Sequence, residues 1–422
     1  MKKKKQQPWG ILLSILLAIF FGSWVGESGM FLGIHIFPLL DILGKIFLNA
    51  LTLVVVPLVF SSIVTGMSRI GGEEALGRLG LKMFSFYVGT SLIAILLGLF
   101  FVNLIGPGVG AVPPPLADPA ALSRLQNISN SEHSPILQVL LTIVPSNIIK
   151  ALSHGEMLGL IFFSLIFGYC ISKIEDGPGT ILKGFFNGIF QSMIRFTRII
   201  MKFLPYGVFC LVAKVFMTTG IGSLKSVALF SATVLLGLIT FMGIALPLLL
   251  NWIGKVNPVR HFKAMGPALI TAFSTSSTSA TLPITIDCVE KRAGVSNRIC
   301  SLVVPLGTSL NMSGSALYEC VAAMFIAQAY GIDLSFATQF LIVALSLITS
   351  MGVAGIPSAS LVAILIILKV IGLPLEGIGL FLAVDRILDM CRTTVNVFSD
   401  SCCAVLVARS EGEKEVLAQD PE

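Results

Sequence analysis

The chain has few charged residues for its length. Only 12% of its 422 residues are Asp, Glu, Lys or Arg, whereas charged residues make up about a quarter of an ordinary soluble domain. Hydrophobic residues account for 55% of the chain, and the mean hydropathy is +0.93. This composition excludes an ordinary soluble globular protein and indicates an integral membrane protein.

Clusters of metal-binding residues are also missing from the sequence. The 4 histidines lie far apart, and the 8 cysteines are scattered through apolar segments without the spacing of a zinc site. We therefore expect the cysteines to be small buried hydrophobic residues. The sequence predicts no metal cofactor of this kind.

Long apolar runs make up much of the chain. They occur at residues 8–26, 42–66, 83–106, 158–171, 227–253, 340–371 and 378–407. Several exceed the roughly 20 residues that a helix needs to cross the hydrocarbon core of a bilayer. The runs are too continuous for the alternating strands of an outer-membrane barrel, so we expect a bundle of transmembrane helices.

The basic residues predict the orientation of this bundle. The apolar run after Lys2–Lys5 resembles a signal peptide, but it is long and lacks a small-x-small cleavage pattern, so we expect a retained first helix. Further basic loops lie at 69–82, 173–183, 255–263 and 291–298, whereas 107–135 has Arg124 as its only cation. The positive-inside rule places both termini in the cytoplasm, in an inner (plasma) membrane protein. The net charge of +6 then requires no nucleic-acid partner.

A stripe of polar residues interrupts the last apolar run. Its members are spaced four, three, four and four residues apart, at Asp385, Asp389, Arg392, Asn396 and Asp400. On a helix all of them project within an arc of about 80° along about 22 Å. One charged side chain at the centre of a bilayer costs roughly 3 kcal/mol, so the stripe must line a protein interior or a wet cavity. The alternative is a structural ion pair between Asp389 and Arg392, one helical turn apart.

Three polar interruptions lie within the apolar segments of the second half of the chain. Residues 274–279 are six consecutive Ser and Thr, residues 349–360 are rich in Gly, Ser and Pro, and residues 305–319 contain Gly307 and Asn311. Interrupted helices near the middle of a membrane are typical of transporter binding sites, and the first two interruptions suggest re-entrant hairpins. A solvated loop and simple helix kinks remain the alternatives.

Together these motifs resemble a known family. Residues 274–283, Asn311-Met312-Ser313-Gly314-Ser315, residues 352–357 and residues 389–400 occur in the same order in the dicarboxylate/amino acid:cation symporters. This family comprises the bacterial and archaeal glutamate and aspartate transporters and their animal relatives, the excitatory amino acid transporters. Tyr87-Val88-Gly89-Thr90-Ser91 and residues 204–209 extend the resemblance into the first half of the chain.

The resemblance implies an all-α homotrimer whose protomers have eight transmembrane helices and two re-entrant helical hairpins. Helices 1 and 2 (residues 1–82) and helices 4 and 5 with a Pro-rich extracellular loop (109–220) would form a scaffold. Helix 3 (83–108) and residues 221–410 would form a transport domain that moves like an elevator, followed by a cytoplasmic tail (411–422). The second hairpin would be the extracellular gate.

The resemblance also implies a substrate site. Arg392 would bind the side-chain carboxylate of the substrate, to which a planar guanidinium is suited. Asp389 would bind the ammonium group, and Thr393 and Asn396 would contribute polar contacts. The remaining contacts implied are Ser277 and Thr278 in the first hairpin, Ser315, and Ile356 and Ser360 in the second hairpin.

Coupling ions rather than organic cofactors are implied. One sodium site would comprise Gly307, Asn311, Asn396 and Asp400, and a second would comprise Ser309, Ser350, Met351 and Val353. A third would include Tyr87, Thr90, Ser91 and Asn311, but Ser313 replaces the usual Asp there, which should weaken sodium binding. Glu319 stands where the animal relatives have a proton-carrying glutamate, so proton coupling is expected beside sodium; a structural, hydrogen-bonded acid is the alternative.

The sequence departs from the family in one further respect. Ser276 and Met390 occupy the two positions at which relatives have a second arginine, and this chain instead has Arg386, one turn before Met390. Arg386 either places its guanidinium at the same surface as the second arginine of the relatives, or pairs with Asp385 or Asp389.

The leading hypothesis is a secondary active symporter that imports glutamate or aspartate with sodium, protons or both, and is not an enzyme. A C4-dicarboxylate symporter of the same family is the alternative. An intramembrane hydrolase is disfavoured, because no serine in the apolar segments has a nearby His or Lys base.

Overall fold

The structure, a computed structural model, describes residues 9–26, 30–31, 34–70, 74–113, 144–154, 157–174, 177–219, 223–351 and 360–417. This part of the chain is almost entirely helical, as the long apolar runs predict. Among the described residues the strands are a single pair of two-residue antiparallel strands, β1 (Met30–Phe31) and β2 (Ile34–His35), between the first two helices.

Seven α-helices lie in the described residues of the first half of the chain. They are α1 (Trp9–Val25), α2 (Ile36–Ile70), α3 (Glu74–Ile105), α4 (Ile148–His154), α5 (Met157–Ser172), α6 (Pro178–Ile200) and α7 (Leu204–Thr219). The apolar runs do not identify α6, because its cations Lys183 and Arg195 and the polar residues between them make it amphipathic rather than uniformly apolar.

The second half continues with shorter helices. They are α8 (Ser223–Thr240), α9 (Leu246–Trp252), α10 (Pro258–Thr275), α11 (Thr278–Asp287), α12 (Asn297–Leu310), α13 (Ser313–Ala329), α14 (Phe336–Ser350), α15 (Ser360–Ile371) and α16 (Leu382–Ser410). Five-residue π-helical segments join α8 to α9 and follow α11.

Three stretches of the described chain are long and apolar enough to cross a membrane: Leu79–Ile105, Lys225–Trp252 and Asn297–Ala329. Several shorter apolar helices accompany them. The structure therefore agrees with an all-helical, multi-pass membrane protein, while the number of eight crossings stays a prediction.

The helices pack in two groups. In the first, α2 contacts α5, α6 and α7, and α1 contacts α7. In the second, α13 is surrounded by α3, α8, α14, α15 and α16, and all of its residues except Gln328 are buried. A helix buried on every side inside this group is the natural place for polar groups that lipid would not tolerate.

Two of the three predicted interruptions are visible as breaks between helices. Helices α10 and α11 pack against each other and are joined at Ser276, which has a left-handed φ of 48°, and Ser277, whose Oγ accepts a hydrogen bond from the backbone NH of Ala280. Helix α12 ends at Leu310, and α13 begins at Ser313 after two non-helical residues. The third interruption falls between α14 and α15, and its residues 352–359 lie outside the described part of the chain.

Candidate functional site

The polar stripe lies on α16, which is a single uninterrupted helix of 29 residues. Each of its members is buried, as the insertion cost of charged groups predicts. The stripe faces α13 and the break that precedes it, so the residues predicted from separate motifs meet around one helix.

Arg392 is the centre of this arrangement and is 0% exposed. Its Nη2 donates to Asp385 Oδ1 at 3.0 Å and to Asp389 Oδ1 at 3.1 Å. Its Nε and Nη1 have no hydrogen-bond partner among the described residues. Because a buried N–H without a partner costs about 1–3 kcal/mol, two such groups on one guanidinium indicate a place for an external acceptor.

Tyr318 holds the guanidinium from the side of α13. The guanidinium carbon of Arg392 lies 3.7 Å from the centroid of the Tyr318 ring, and the Tyr318 hydroxyl donates to Asp385 Oδ1 at 2.9 Å. The stacked ring and the shared carboxylate fix the plane of the guanidinium. The sequence motifs did not single out Tyr318, because nothing in the sequence around it marks a contact with a residue 74 positions away on another helix.

Arg386 pairs with Asp389 rather than with Asp385 in the described structure. Its Nη1 lies 3.5 Å from Asp389 Oδ2, while Arg392 contacts Oδ1 of the same carboxylate. Asp389 is therefore placed between two guanidinium groups.

Asn396 connects the stripe to the start of α13. Its Oδ1 accepts from the backbone NH of Gly314 at 2.8 Å and of Ser315 at 3.4 Å, and its Nδ2 donates to Ser315 Oγ at 3.1 Å. These contacts satisfy N–H groups that the helix itself leaves free. Thr393 is buried three residues before Asn396.

Residues of the first predicted sodium site also come together. Asn311 Nδ2 donates to Asp400 Oδ1 at 2.9 Å, and Asp400 Oδ2 is buried with no hydrogen-bond partner among the described residues. The backbone of Gly307 lies against the same carboxylate, since a Cβ on Gly307 would be 2.7 Å from Asp400 Oδ1. A desolvated carboxylate oxygen beside the last turn of α12 suits a hard cation, which prefers carboxylate, amide and carbonyl oxygens.

The third predicted sodium site is a neutral network of hydroxyl groups in the described structure. Ser313 Oγ donates to Asn311 Oδ1 at 2.9 Å and lies 3.1 Å from Ser91 Oγ. Thr90 Oγ1 donates to Asn311 Oδ1 at 3.2 Å, whereas the Tyr87 hydroxyl donates to the backbone carbonyl of Val303. Ser313 thus contributes a neutral hydroxyl, and no carboxylate, to this network.

The residues of the two predicted hairpins are described to different extents. Ser277 and Thr278 are buried at the turn between α10 and α11, and Thr278 Oγ1 donates to the carbonyl of Thr308 at 3.2 Å. Ser350 and Ser360 are buried at the facing ends of α14 and α15, and Met351 is half-buried. Ile356 and Val353 lie outside the described residues, as does the side chain of Ser309 in α12. The second predicted sodium site therefore stays a prediction.

Glu319 is fully buried on α13, seven residues after Met312. Its Oε2 accepts from Thr349 Oγ1 on α14 at 2.9 Å, and its Oε1 has no hydrogen-bond partner among the described residues. A carboxylate that is only half satisfied in such a place is costly when charged. Thr349 is a contact that the sequence motifs did not include.

Comparisons with known proteins identify the family of this chain. A sequence model of the sodium:dicarboxylate symporter family matches residues 9–410. The chain is 35% identical over 410 residues to the proton/sodium-glutamate symport protein of Bacillus caldotenax, covering 96% of this chain and 94% of that protein. It is 34% identical over 421 residues to the proton/glutamate-aspartate symporter of Escherichia coli (strain K12), covering 98% and 95%. It is also 35% identical over 402 residues to excitatory amino acid transporter 3 of Mus musculus, covering 85% and 76%.

Proposed function

The chain belongs to the sodium:dicarboxylate symporter family, and on this premise we propose how its residues bind and carry an acidic amino acid. The protein is a symporter of acidic amino acids that uses sodium or proton gradients. What remains to be proposed is the role of each residue, the coupling ion and the mode of movement.

The proposal rests on the unpartnered donors of the buried Arg392 guanidinium. Its Nε and Nη1 are buried and unpartnered among the described residues, while Asp385, Asp389 and the Tyr318 ring hold the rest of the group in place. Nε and Nη1 lie on different sides of the planar guanidinium, so each leaves a charge-assisted donor for an oxygen of an acidic ligand. Arg392 therefore binds the side-chain carboxylate of glutamate or aspartate.

The other end of the substrate is bound by further residues of α16. Asp389 receives the ammonium group, and Thr393 and Asn396 contact the ammonium and α-carboxylate groups. Ser277, Thr278 and Ser315 line the site from the first hairpin and from α13, and Ile356 and Ser360 close it from the second hairpin. The burial of Ser277, Thr278, Ser315 and Ser360 supports this assignment.

Sodium binds to the carboxylate of Asp400 together with Gly307, Asn311 and Asn396. The unpartnered Asp400 Oδ2 and the close approach of Gly307 support this site. A second sodium ion is coordinated by Ser309, Ser350, Met351 and Val353, chiefly through backbone carbonyls. The Tyr87, Thr90, Ser91 and Asn311 site is weakened, because Ser313 supplies no charge to offset the desolvation of a cation.

Proton coupling operates through Glu319. A buried carboxylate with one oxygen unpartnered among the described residues favours the neutral, protonated form during movement through the membrane. The protein thus combines sodium and proton coupling, and the weakened third sodium site makes the proton the more important contribution.

The movement is that of an elevator within a homotrimer in the inner (plasma) membrane, with both termini in the cytoplasm. Residues 1–82 and 109–220 form the scaffold, and residues 83–108 and 221–410 form the moving domain. The contacts of α2 with α5, α6 and α7, and those of α13 with α3, α8, α14, α15 and α16, support this division.

Uptake into proteoliposomes tests the function. Radiolabelled glutamate, aspartate and succinate would be offered under separate inward sodium and proton gradients, with equal ion concentrations on both sides as the control. We expect glutamate and aspartate to accumulate only when a gradient is imposed. Uptake that is independent of any gradient, or absent under both, would contradict gradient-driven symport.

A further inference from the structure

A groove on the surface of the described structure has no role in the proposed function. It lies along the π-helical segment before α9 and along α9, and it ends at the loop that precedes α10, with lining residues within 243–248 and 251–258. Its volume is about 740 Å³, and ligand sites commonly measure roughly 300–1,000 Å³. Its described lining contains none of the residues assigned to the substrate or to the coupling ions. The groove is therefore a candidate for a second binding site.

The lining of the groove changes from apolar to polar along its length. Gly243, Ile244 and Leu248 belong to the apolar end, and a Cβ on Gly243 would meet nothing within 4 Å. Asn251 and Lys255 belong to the polar end. Eight residues of helix separate Gly243 from Asn251, which corresponds to a rise of about 12 Å. Such a groove fits an elongated ligand with an apolar part along α9 and a polar part at the loop.

The polar end of the groove lies at a membrane surface. The stretch Lys225–Trp252 is long and apolar enough to cross a membrane, and the polar end of the groove begins where this stretch ends. Trp252 itself is 72% exposed, and Trp is enriched where lipid headgroups meet the hydrocarbon core. The apolar end of the groove therefore lies at the depth of the acyl chains and the polar end at the depth of the headgroups.

The charge around the polar end favours an anionic group. Lys255 is exposed, and the sequence has no Asp or Glu between residues 177 and 286. A single basic side chain beside neutral amides, at the edge of an apolar groove, is suited to one phosphate group. An ammonium or other cationic ligand would meet like charge there.

The backbone of Lys255 also indicates a role for its side chain. Its φ is 51°, in the left-handed region that glycine adopts without strain and a lysine seldom adopts. The loop is held in place on both sides, because Gly254 O accepts from Arg409 Nε at 2.8 Å and the buried Val256 donates its NH to Leu250 O at 3.2 Å. Strained residues that the surrounding structure holds in place are concentrated at ligand sites.

We propose that this groove binds an anionic phospholipid, with one acyl chain along α9 and the phosphate group beside Asn251 and Lys255. The orientation under the proposed function places the loop in the cytoplasm, and anionic lipids give the cytoplasmic leaflet its negative surface potential. A free phosphate ion would leave the apolar end of the groove empty, whereas a phospholipid fills both ends. The lipid is thus a ligand distinct from the substrate and the coupling ions.

The fluorescence of Trp252 tests the proposal in the full-length protein reconstituted into phosphatidylcholine vesicles. Trp9→Phe and Trp24→Phe leave Trp252 as the single Trp of the chain, which has 3, and Trp252 follows the groove residue Leu248 by one turn on the same face of α9. Phosphatidylglycerol or phosphatidylcholine with brominated acyl chains is added, and quenching gives the relative affinity of each lipid. We expect at least a fivefold preference for phosphatidylglycerol that falls as salt is raised. Equal quenching by the two lipids would overturn the proposal.

Substitutions of Lys255 separate the charge from the backbone conformation. Lys255→Asn removes the charge, and Asn tolerates the left-handed region better than most residues. We expect its preference for phosphatidylglycerol to fall below twofold, whereas Lys255→Arg should keep the preference of the wild type. Lys263→Asn is the matched control, because it removes the same charge from an exposed residue of α10 outside the lining of the groove. Equal losses in Lys255→Asn and Lys263→Asn would overturn the proposal, since general surface charge would then explain the preference.

Gly243→Leu tests the apolar end of the groove. The space around Gly243 accepts a side chain, so the variant fills the groove without displacing other residues. We expect it to lose the preference for phosphatidylglycerol as Lys255→Asn does, and a retained preference would contradict binding of an acyl chain along α9. Inorganic phosphate at matched ionic strength should leave the quenching by phosphatidylglycerol unchanged. Displacement of the lipid by phosphate would identify a site for free anions and overturn the proposal.

Discussion

Single buried polar residues account for most of the chemistry of this protein. Arg392, Glu319 and Asp400 each have an atom with no hydrogen-bond partner among the described residues. In lipid or protein interior such atoms are destabilising unless a ligand, ion or proton binds there. Each group fits a different ligand: the guanidinium suits a carboxylate, the Asp400 carboxylate suits a cation, and the Glu319 carboxyl suits a proton.

Replacing Glu319 with Gln tests the proton role. Gln keeps the size of the side chain and an acceptor for Thr349 Oγ1, but it cannot release a proton. We expect uptake of glutamate driven by a proton gradient to fall at least tenfold, while exchange of glutamate across the membrane at equal ion concentrations continues.

Thr349→Val provides the matched comparison, because it removes the hydroxyl contact to Glu319 and leaves the carboxyl group in place. Its uptake should keep the response to a proton gradient. If Glu319→Gln responded to that gradient as strongly as the wild type, Glu319 would not be the proton carrier.

At the scale of helices, the site depends on the close approach of α12 to α16. Gly307 permits this approach, because any larger residue would overlap the Asp400 carboxylate. We expect Gly307→Ala to displace the carboxylate and to raise the sodium concentration for half-maximal uptake at least tenfold, measured with labelled aspartate.

Gly266→Ala is the control for this variant. Gly266 lies on α10, and a Cβ there would meet nothing within 4 Å. Alanine also favours a helix by roughly 1 kcal/mol over glycine. Gly266→Ala should therefore leave the sodium response unchanged, and a similar shift in both variants would show that the effect is not specific to the approach of α12 and α16.

Helix-level features also show how far the sequence predicts the structure. The stripe on α16 was predicted correctly, because a 3.6-residue period is a local property of the sequence. The break between α12 and α13 was predicted as a broad unwound region, but only Asn311 and Met312 are non-helical. Packing around α13 keeps the flanking residues helical, and this tertiary effect cannot be seen in a local pattern.

Contacts between helices were the least predictable part of the site. The stacking of Tyr318 on Arg392 and the bond from Thr349 to Glu319 join residues distant in sequence. The resemblance to a family supplied the predicted site residues, and the structure brings many of them together around α13 and α16. Ile356 and Val353, outside the described residues, stay predictions.

Across the whole molecule, the segment after α16 links separate parts of the second helix group. Leu417 is buried, and its backbone NH donates to Ala293 after α11, while Glu413 Oε2 accepts from the backbone NH of Ser296. Glu411 pairs with Lys82 on α3 at 2.5 Å. The tail therefore connects the end of α16 to α3 and to the segment that precedes α12.

Truncation tests this role of the tail. Deletion of residues 412–422 removes Val416 and Leu417, each of which contributes about 1.5–3 kcal/mol when fully buried. We expect the midpoint of thermal unfolding in detergent to fall by several degrees. Deletion of 418–422 alone is the control and should leave the midpoint unchanged; equal midpoints for the two truncations would contradict the proposed anchoring.

The most direct test of the whole account is the substrate preference of Arg392 variants, measured as uptake of labelled glutamate and of a neutral amino acid such as serine. Arg392→Cys removes the carboxylate receptor, and Arg392→Lys retains the positive charge without the planar pair of donors. We expect Arg392→Cys to lose glutamate uptake by at least a hundredfold and to gain uptake of the neutral amino acid, with Arg392→Lys intermediate for glutamate. Undiminished glutamate uptake by Arg392→Cys would contradict the account.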